Sequence, residues 1–271
     1  MESHRLLVAN WKMNLRPSEE INFVKKHYDR LVNLAKQSNT QIVLCPTFLS
    51  IMSIAKNISS NSTNTYLSIG AQDCSTRAIG SFTGQISAAC LAEIGCTHVI
   101  VGHSEERRAH KESNLQVAHK TIQLLIHGLT PIVCIGESAS EKQTSRSKEV
   151  LSTQIKTVID TLNKLSSARR YNLCIAYEPL YAIGSGNVPT TEHLEEIFGH
   201  IMRELRNAPS IKNITYLYGG SVNSRQLPML KKVSKIQGYL VGNASLSFQE
   251  MEKMLTSWMV SRSNCISRAE K

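Results

Sequence analysis

Short runs of apolar and β-branched residues recur along the chain, and several of them show no alternation of apolar and polar positions. Such an uninterrupted run is typical of a strand that is covered on both faces, as in a parallel sheet. The eight predicted strands are Leu6–Ala9, Ile42–Cys45, Tyr66–Ile69, Val99–Val101, Ile132–Ile135, Leu173–Ala176, Ile214–Tyr218 and Tyr239–Val241.

Segments with helical spacing separate these runs. One carries apolar residues at the three- and four-residue spacing that predicts a helix with a single apolar face. These residues are Leu194, Ile197, Phe198, Ile201 and Leu205. A second segment, Ile86 to Ile94, stops at Gly95, because glycine tolerates the left-handed conformation that often follows a helix end. Strands that alternate with helices indicate βαβ units and a parallel sheet.

Eight such units predict an α/β fold, the closed (β/α)8 barrel, rather than an open doubly wound sheet of five or six strands. No composition break interrupts them, so we expect a single (β/α)8 barrel domain over residues 1–260. The polar stretch Asn57–Thr65 is predicted to be a loop. The polar, basic tail, residues 261–271, is expected to be frayed.

The composition is that of an ordinary soluble protein with enough apolar residues for a sizeable core. The 271 residues are 41% hydrophobic and 19% charged, and this length fits one large barrel. No apolar run approaches the roughly 18 to 20 residues of a membrane helix, and the N-terminus lacks a cleavage-site pattern. The seven cysteines are scattered, odd in number and without a C-x-x-C pair, so we interpret them as reduced thiols. We therefore expect a cytoplasmic protein with no membrane partner.

The net charge of +10 raises the question of nucleic-acid binding, because clustered basic residues neutralise phosphates. The basic pairs Arg107-Arg108, Arg169-Arg170 and Lys231-Lys232 lie far apart in the sequence and have no interleaved aromatic residues. We interpret them as a solvated basic surface and expect no nucleic-acid partner. A positive surface would also attract an anionic small molecule.

Chemically useful residues follow the ends of several predicted strands, where a (β/α)8 barrel forms its active site. The segments are Asn10–Asn14, Gly102–Glu105, Tyr177–Pro179, Gly219–Ser221 and Gly242–Ser245. Taken singly, each has an ordinary explanation: a surface lysine, a structural histidine, a glutamate at a helix entry, or a turn. A lysine, a histidine, a glutamate and two small-residue turns on one rim together favour an active site.

Several strings resemble the triosephosphate isomerase family in order and spacing. They are Asn-Trp-Lys-Met-Asn from Asn10, Gly-His-Ser-Glu from Gly102, Cys-Ile-Gly-Glu from Cys134, Ala-Tyr-Glu-Pro from Ala176, Tyr-Gly-Gly-Ser-Val from Tyr218 and Leu-Val-Gly from Leu240. Gly70–Asp73 and Phe82–Gly84 extend the resemblance, which runs from about residue 5 to about residue 255. It implies a TIM barrel isomerase of glycolysis and gluconeogenesis that interconverts dihydroxyacetone phosphate and D-glyceraldehyde 3-phosphate through an enediolate. It also implies no cofactor and no metal.

The resemblance assigns roles to individual residues. Glu178 would remove a carbon-bound proton, His103 would exchange protons with the substrate oxygens, and Lys12 would offset the enediolate and phosphate charge. Asn10 would help to position the oxygens and Lys12. The chemistry agrees, because removing a proton next to a carbonyl needs a nearby carboxylate and donors aimed at the oxygen. The substrate- and phosphate-binding residues would be Asn10, Lys12, Gly184, Ser221, Gly242 and Asn243.

A loop after the sixth strand resembles the family's lid, which excludes water from the reacting atoms. Its residues are Pro179, Ala182, Ile183, Gly184, Ser185 and Gly186. Thr83 matches the tip of the loop that enters a partner subunit in this family, so the resemblance implies a homodimer.

Among the positions that depart from the family pattern, three bear on the candidate site. Glu106 stands where the family usually has an arginine, which puts the usual ion pair there in question. Tyr181 stands where tryptophan is common in the lid. Asn243 replaces a glycine of the last phosphate turn, and asparagine is one of the residues least penalised in a left-handed conformation.

Two other interpretations stay open. Another phosphate-binding barrel isomerase, such as one that acts on phosphoribosyl intermediates, would explain the phosphate turns but not the combination of Asn10, Lys12, His103 and Glu178. A non-catalytic basic barrel could instead bind nucleic acid or a protein partner. The intact lysine, histidine and glutamate argue against that loss of catalysis.

Overall fold

The computed structural model describes residues 5–59, 66–164, 170–183, 188–206, 208 and 211–266. Its strands form a closed parallel barrel in which every strand pairs with its neighbours in chain order, and the last strand pairs with the first. The strands are β1 Arg5–Asn10, β2 Thr40–Cys45, β3 Leu67–Ala71, β4 Cys96–Val101, β5 Thr130–Ile135, β6 Tyr171–Tyr177, β7 Ile211–Tyr218 and β8 Gly238–Val241. All eight predicted strands are confirmed, although Tyr66 lies outside β3.

Helices connect the strands, as the alternating pattern predicts. They are α1 Pro17–Ser38, α2 Phe48–Ser59, α3 Ala88–Glu93, α4 Ser104–Ala109, α5 Asn114–Ile126, α6 Ala139–Gln143, α7 Ser147–Leu162, α8 Thr191–Leu205, α9 Leu227–Leu230 and α10 Phe248–Ile266. The apolar positions predicted for α8 are all buried. Gly95 has φ +90° just after α3, so the predicted left-handed helix exit is also confirmed.

Alternate residues of the strands pack into two apolar clusters, because successive side chains of a strand point to opposite faces. The smaller cluster fills the barrel and includes Val8, Val43, Ile100 and Leu240. The larger cluster lies between the strands and the surrounding helices. With both faces of the sheet covered, polar groups concentrate at the strand ends.

The structure corrects one predicted boundary and extends another. Asn57–Thr65 was predicted to be a loop, but α2 continues through Ser59, so the prediction is wrong for its first three residues; residues 60–65 lie outside the described part. The last helix, α10, reaches Ile266 and so enters the tail expected to be frayed. Residues 267–271 are not described, and the 1–260 boundary stays a prediction.

Among the described residues, no helix combines the length and apolar character needed to cross a membrane.

Candidate active site

A cavity of about 290 Å³ opens at the C-terminal ends of the strands. Its lining brings together residues that are far apart in the sequence: Asn10, Lys12, His103, Glu178, Ile183, Gly219–Asn223, Leu240 and Gly242–Ala244. The four residues to which catalytic roles were assigned therefore face one space. The same cavity is also lined by Ser221, Gly242 and Asn243, which are the other predicted substrate- and phosphate-binding residues in the described part of the chain.

Glu178 lies just after β6 and is 2% exposed. Its Oε1 is 3.2 Å from Nε2 of His103, and its Oε2 accepts a hydrogen bond from the backbone N–H of Ser104 at 3.1 Å. Gly136 allows the loop after β5 to approach closely, because a Cβ there would overlap the carbonyl of Glu178. Backbone contacts from two neighbouring strand ends thus hold a buried carboxylate at the cavity wall.

His103 follows β4 and caps the N-terminus of α4. Its Nδ1 accepts a hydrogen bond from the backbone N–H of Glu105 at 3.2 Å. An accepting Nδ1 carries no proton, so in the neutral ring the proton is on Nε2, which faces Glu178 and the cavity. This histidine can therefore donate a hydrogen bond to an oxygen that enters the cavity.

Lys12 follows β1, and its ammonium pairs with Oε1 of Glu105 at 2.7 Å. Burial opposes ionisation of Glu105, but the hydrogen bond and charge of Lys12 outweigh it and hold the pKa of Glu105 below its usual value. The Lys12 backbone has φ +54°, a left-handed conformation that is uncommon outside glycine. Its N–H donates to Oδ1 of Asn10 at 3.2 Å, which places the predicted positioning partner beside it.

The small-residue turns after β7 and β8 form the opposite wall of the cavity. The Ser221 hydroxyl donates to the carbonyl oxygen of Ala182 at 2.6 Å, so the first turn contacts the start of the predicted lid. Pro179 and Ala182 are buried, and Ile183 lines the cavity. The remaining predicted lid residues, Gly184, Ser185 and Gly186, lie outside the described residues.

Comparison with known proteins decides the family. The triosephosphate isomerase family model matches residues 5–258. A triosephosphate isomerase from Wolbachia sp. subsp. Brugia malayi is 37% identical over 250 residues, which cover 92% of this chain and 96% of that protein. Proteins of the same name from Gluconacetobacter diazotrophicus and Nocardia farcinica are 37% and 38% identical, over 89% and 90% of this chain and 93% of each relative. The chain belongs to the triosephosphate isomerase family.

Glu106, which departs from the triosephosphate isomerase pattern, pairs with a side chain at the end of its own helix, α4. Oε2 of Glu106 lies 2.6 Å from Nδ1 of the exposed His110. The next residue, Arg107, donates to the carbonyl oxygens of Gly102 and Cys134 at 2.8 and 3.3 Å. Arg107 thus connects the end of β4 to the end of β5. These contacts are present even though Glu106, the preceding residue, carries a charge opposite to that of the arginine usual at its position.

The other two departures are accommodated locally. The Tyr181 ring lies under the ammonium of Lys142 at 3.6 Å, and its hydroxyl is 3.5 Å from Nε2 of His193. Asn243 begins a 3₁₀ turn, Asn243–Leu246, and is not one of the residues with positive φ. The left-handed tolerance of asparagine is therefore not needed at this position.

Sequence reasoning missed a set of side chains just behind the cavity. Glu105 pairs with Lys12, and Gln72 donates to the Lys12 carbonyl oxygen at 2.9 Å. The Lys120 ammonium pairs with Asp73 at 2.7 Å and with Glu112 at 2.5 Å. Burial raises the pKa of Asp73 to about 6, even though the charge of Lys120 lowers it. Glu105 and Asp73 belong to the family-like motifs Gly102–Glu105 and Gly70–Asp73, so the sequence could have indicated that they lie near the site. Among the described residues, no group of three acidic, histidine or cysteine residues could hold a metal.

Proposed function

We propose that this chain interconverts dihydroxyacetone phosphate and D-glyceraldehyde 3-phosphate by proton transfer, as a member of the triosephosphate isomerase family. One observation carries the proposal: a buried carboxylate, a histidine that presents an N–H and a lysine line the same cavity. Proton transfer next to a carbonyl requires a base near the carbon and donors aimed at the oxygen, and these three groups can supply them. Two turns of small residues face them and could offer backbone N–H groups to a phosphate.

In the proposed reaction Glu178 is the base. It removes a proton from C1 of dihydroxyacetone phosphate, and the electron pair forms the C1–C2 double bond of an enediolate. Negative charge then develops on the oxygen of C2, where the Nε2 proton of His103 and the ammonium of Lys12 stabilise it. His103 moves a proton between the two oxygens, and Glu178 returns its proton to C2, so the net reaction consumes none.

The contacts of Glu178 imply a rearrangement when substrate binds. Its Oε1 lies 3.2 Å from Nε2 of His103 and accepts the hydrogen bond that the Nε2–H can donate. This hydrogen bond must break before the Nε2–H can donate to a substrate oxygen. Loss of this contact leaves one oxygen of Glu178 free to approach the carbon-bound proton. The bond from the Ser104 N–H would have to lengthen as the carboxylate advances.

The phosphate is proposed to bind between the turns that contain Ser221 and Gly242–Asn243. A Cβ on Gly242 would lie 3.6 Å from Cε of Lys12, so the lysine stem runs past this turn and places its charge near the proposed phosphate. Gly184 is proposed to add a further N–H from the lid. Closure of the lid would strengthen the electrostatic contacts by excluding water.

A homodimer is part of the proposal. Thr83 is exposed, and several large apolar side chains near the β1, β2 and β3 loops are exposed as well. They are Met13, Phe48, Leu49, Met52, Ile79 and Phe82. Large exposed apolar patches often mark a protein–protein interface, and we propose that a second copy of the chain covers these side chains. Light scattering tests this: a dimer is expected, and a fully active monomer at assay concentration would contradict it.

The cytoplasm is the proposed location. Six cysteines in the described residues are free thiols, which fits a reducing compartment.

A coupled assay with the purified chain tests the activity in both directions. We expect conversion of each triose phosphate, and almost none with Glu178→Gln, which keeps the side-chain size but removes the base. A folded wild-type protein that converts neither substrate would support the non-catalytic barrel instead.

A further inference from the structure

Lys12 has a backbone conformation that its surroundings must hold. A residue with a side chain rarely adopts φ +54°, and such strain persists only where neighbouring contacts fix it. The Lys12 N–H donates to Asn10, and the Lys12 carbonyl oxygen accepts from Nε2 of Gln72 at 2.9 Å. The two sides of the strained residue are therefore each tied by an amide side chain.

Gln72 is placed to fix more than one strand end. Its Nε2 also donates to the carbonyl oxygen of Cys45 at 3.0 Å, and the same oxygen accepts from the Trp11 N–H at 3.2 Å. One amide group therefore joins the end of β1 to the end of β2. A shift of Gln72 would release the carbonyl of Lys12 and the turn that aims its side chain.

Gln72 is itself anchored through its neighbour. Asp73 binds the Lys120 ammonium with both carboxylate oxygens at 2.7 Å, and Lys120 also pairs with Glu112. These contacts attach the chain after β3 to α5. The amide of Gln72 is consequently presented from a fixed backbone.

We infer that Gln72 is a positioning residue for the isomerisation, which acts by holding the left-handed backbone of Lys12 so that its ammonium faces the cavity. Gln72 is not among the residues that line the described cavity, so it acts through Lys12. This inference rests on the proposed function for its kinetic consequence.

The variant Gln72→Met keeps the length of the side chain and removes both donated hydrogen bonds. We expect kcat/KM to fall by about 10- to 100-fold, because a displacement of about 1 Å at a reacting group can cost about 100-fold. The matched control is Gln237→Met. Gln237 accepts a hydrogen bond from the Tyr216 N–H at 3.0 Å at the other end of the barrel, and its loss should affect the melting temperature but not kcat/KM.

A double-mutant cycle on the affinity for inorganic phosphate separates positioning from general stability. The four proteins are wild type, Gln72→Met, Lys12→Met and the double variant. We expect Gln72→Met to weaken phosphate binding in the wild-type background and to have no effect once Lys12 is replaced. Equal effects in both backgrounds, or no effect in either, would overturn the inference.

Two further measurements keep the result interpretable. Light scattering on each protein must give the same oligomer, and a loss of activity that appears only on dissociation would overturn the inference. If Gln72→Met does not fold, Gln72→Glu replaces it. The introduced carboxyl can donate a hydrogen bond only when protonated, so its defect relative to wild type should shrink as pH falls, and a pH-independent defect would count against the inference.

The phosphate cycle also distinguishes this inference from the proposed function. A wild-type protein without isomerase activity but with the expected cycle would refute the function and leave the positioning role of Gln72 standing. If the wild type is active but Gln72→Met leaves kcat/KM and phosphate affinity unchanged, the positioning role of Gln72 is refuted and the proposed function stands.

Discussion

The two ends of the barrel are built from different chemistry. At the N-terminal end, Trp258 stacks on Tyr239 with ring centroids 5.5 Å apart, and the guanidinium of Arg5 lies 5.8 Å from the Trp258 ring centre. At the C-terminal end, Glu178 and His103 are buried beside a lysine in a left-handed conformation. The first end consists of contacts that stabilise a fold, whereas the second contains a buried charge and a strained backbone.

The difference separates stability from activity. Burying a carboxylate costs free energy unless partners compensate. The partners of Glu178 include His103, the Ser104 N–H and the thiol of Cys134. Aromatic packing at the N-terminal end has no such cost. We therefore expect substitutions at the C-terminal end to change turnover more than stability, and substitutions at the N-terminal end to do the opposite.

Among the substitutions that compare the two ends, Lys12→Met should reduce activity most. Lys12→Met removes the cation from a cavity proposed to bind an anion and keeps most of the apolar stem. Loss of a single donor to a developing oxyanion costs about 10²–10³-fold, so we expect a loss of kcat/KM of ~10³-fold with little change in melting temperature. Steady-state kinetics and thermal unfolding measure both, and normal turnover of folded protein would refute the electrostatic role.

Glu178→Asp should have the next largest effect. The substitution keeps the carboxylate but withdraws it by one methylene, and misplacement of about 1 Å costs about 100-fold in rate, or about 2.7 kcal/mol. KM should change much less than kcat, because the proposed phosphate contacts do not involve this side chain. A lower melting temperature with near-normal kcat would make Glu178 a structural residue.

Trp258→Ala should have the opposite effect and lower stability with little change in turnover. Truncation of a buried tryptophan costs about 3–5 kcal/mol of unfolding free energy, and Trp258 is 2% exposed. Denaturant unfolding should show that loss, while kcat of the folded fraction stays at the wild-type value. Trp258→Phe is the control and should lose less stability. A large fall in kcat at full folding would show that the two ends are not independent.

Asp73 should give the smallest effect, on the pH dependence of stability. Its pKa is raised to about 6 in the folded protein, so between about pH 4 and pH 6 the folded state binds more protons than the unfolded state. The free energy of unfolding therefore includes a favourable contribution from protonated Asp73 below this range, and this contribution is lost as pH rises through it. The melting temperature of wild type relative to Asp73→Asn should fall from pH 4 to pH 7; a constant difference would contradict the shift.

Most of the barrel could be predicted from the sequence, because each strand is a short, uninterrupted apolar run. The boundaries were less accurate. Asn57, Ile58 and Ser59 belong to α2. Ile58 packs against the larger apolar cluster, so it continues the apolar face of the helix into a mostly polar stretch. The end of β3 was set too early, because Gly70 and Ala71 carry little strand signal.

The site residues could be proposed from the strings at the strand ends, but their contacts could not. Gln72 and Glu105 meet Lys12 only because the segments after β1, β3 and β4 converge at the C-terminal end of the barrel. The left-handed backbone of Lys12 has a local partner, Asn10, and a partner distant in sequence, Gln72. No local pattern encodes the second contact. The roles of the site residues remain predictions to be tested by substitution.

The most direct test of proton transfer at the C-terminal end is isomerisation in D₂O, followed by NMR. Wild-type protein given dihydroxyacetone phosphate should form glyceraldehyde 3-phosphate with deuterium at C2, because a proton held by Glu178 can exchange with solvent before it returns to carbon. Glu178→Asp should give the same labelled product about 100-fold more slowly. Conversion that leaves only protium at C2, or no conversion by folded protein, would contradict the account.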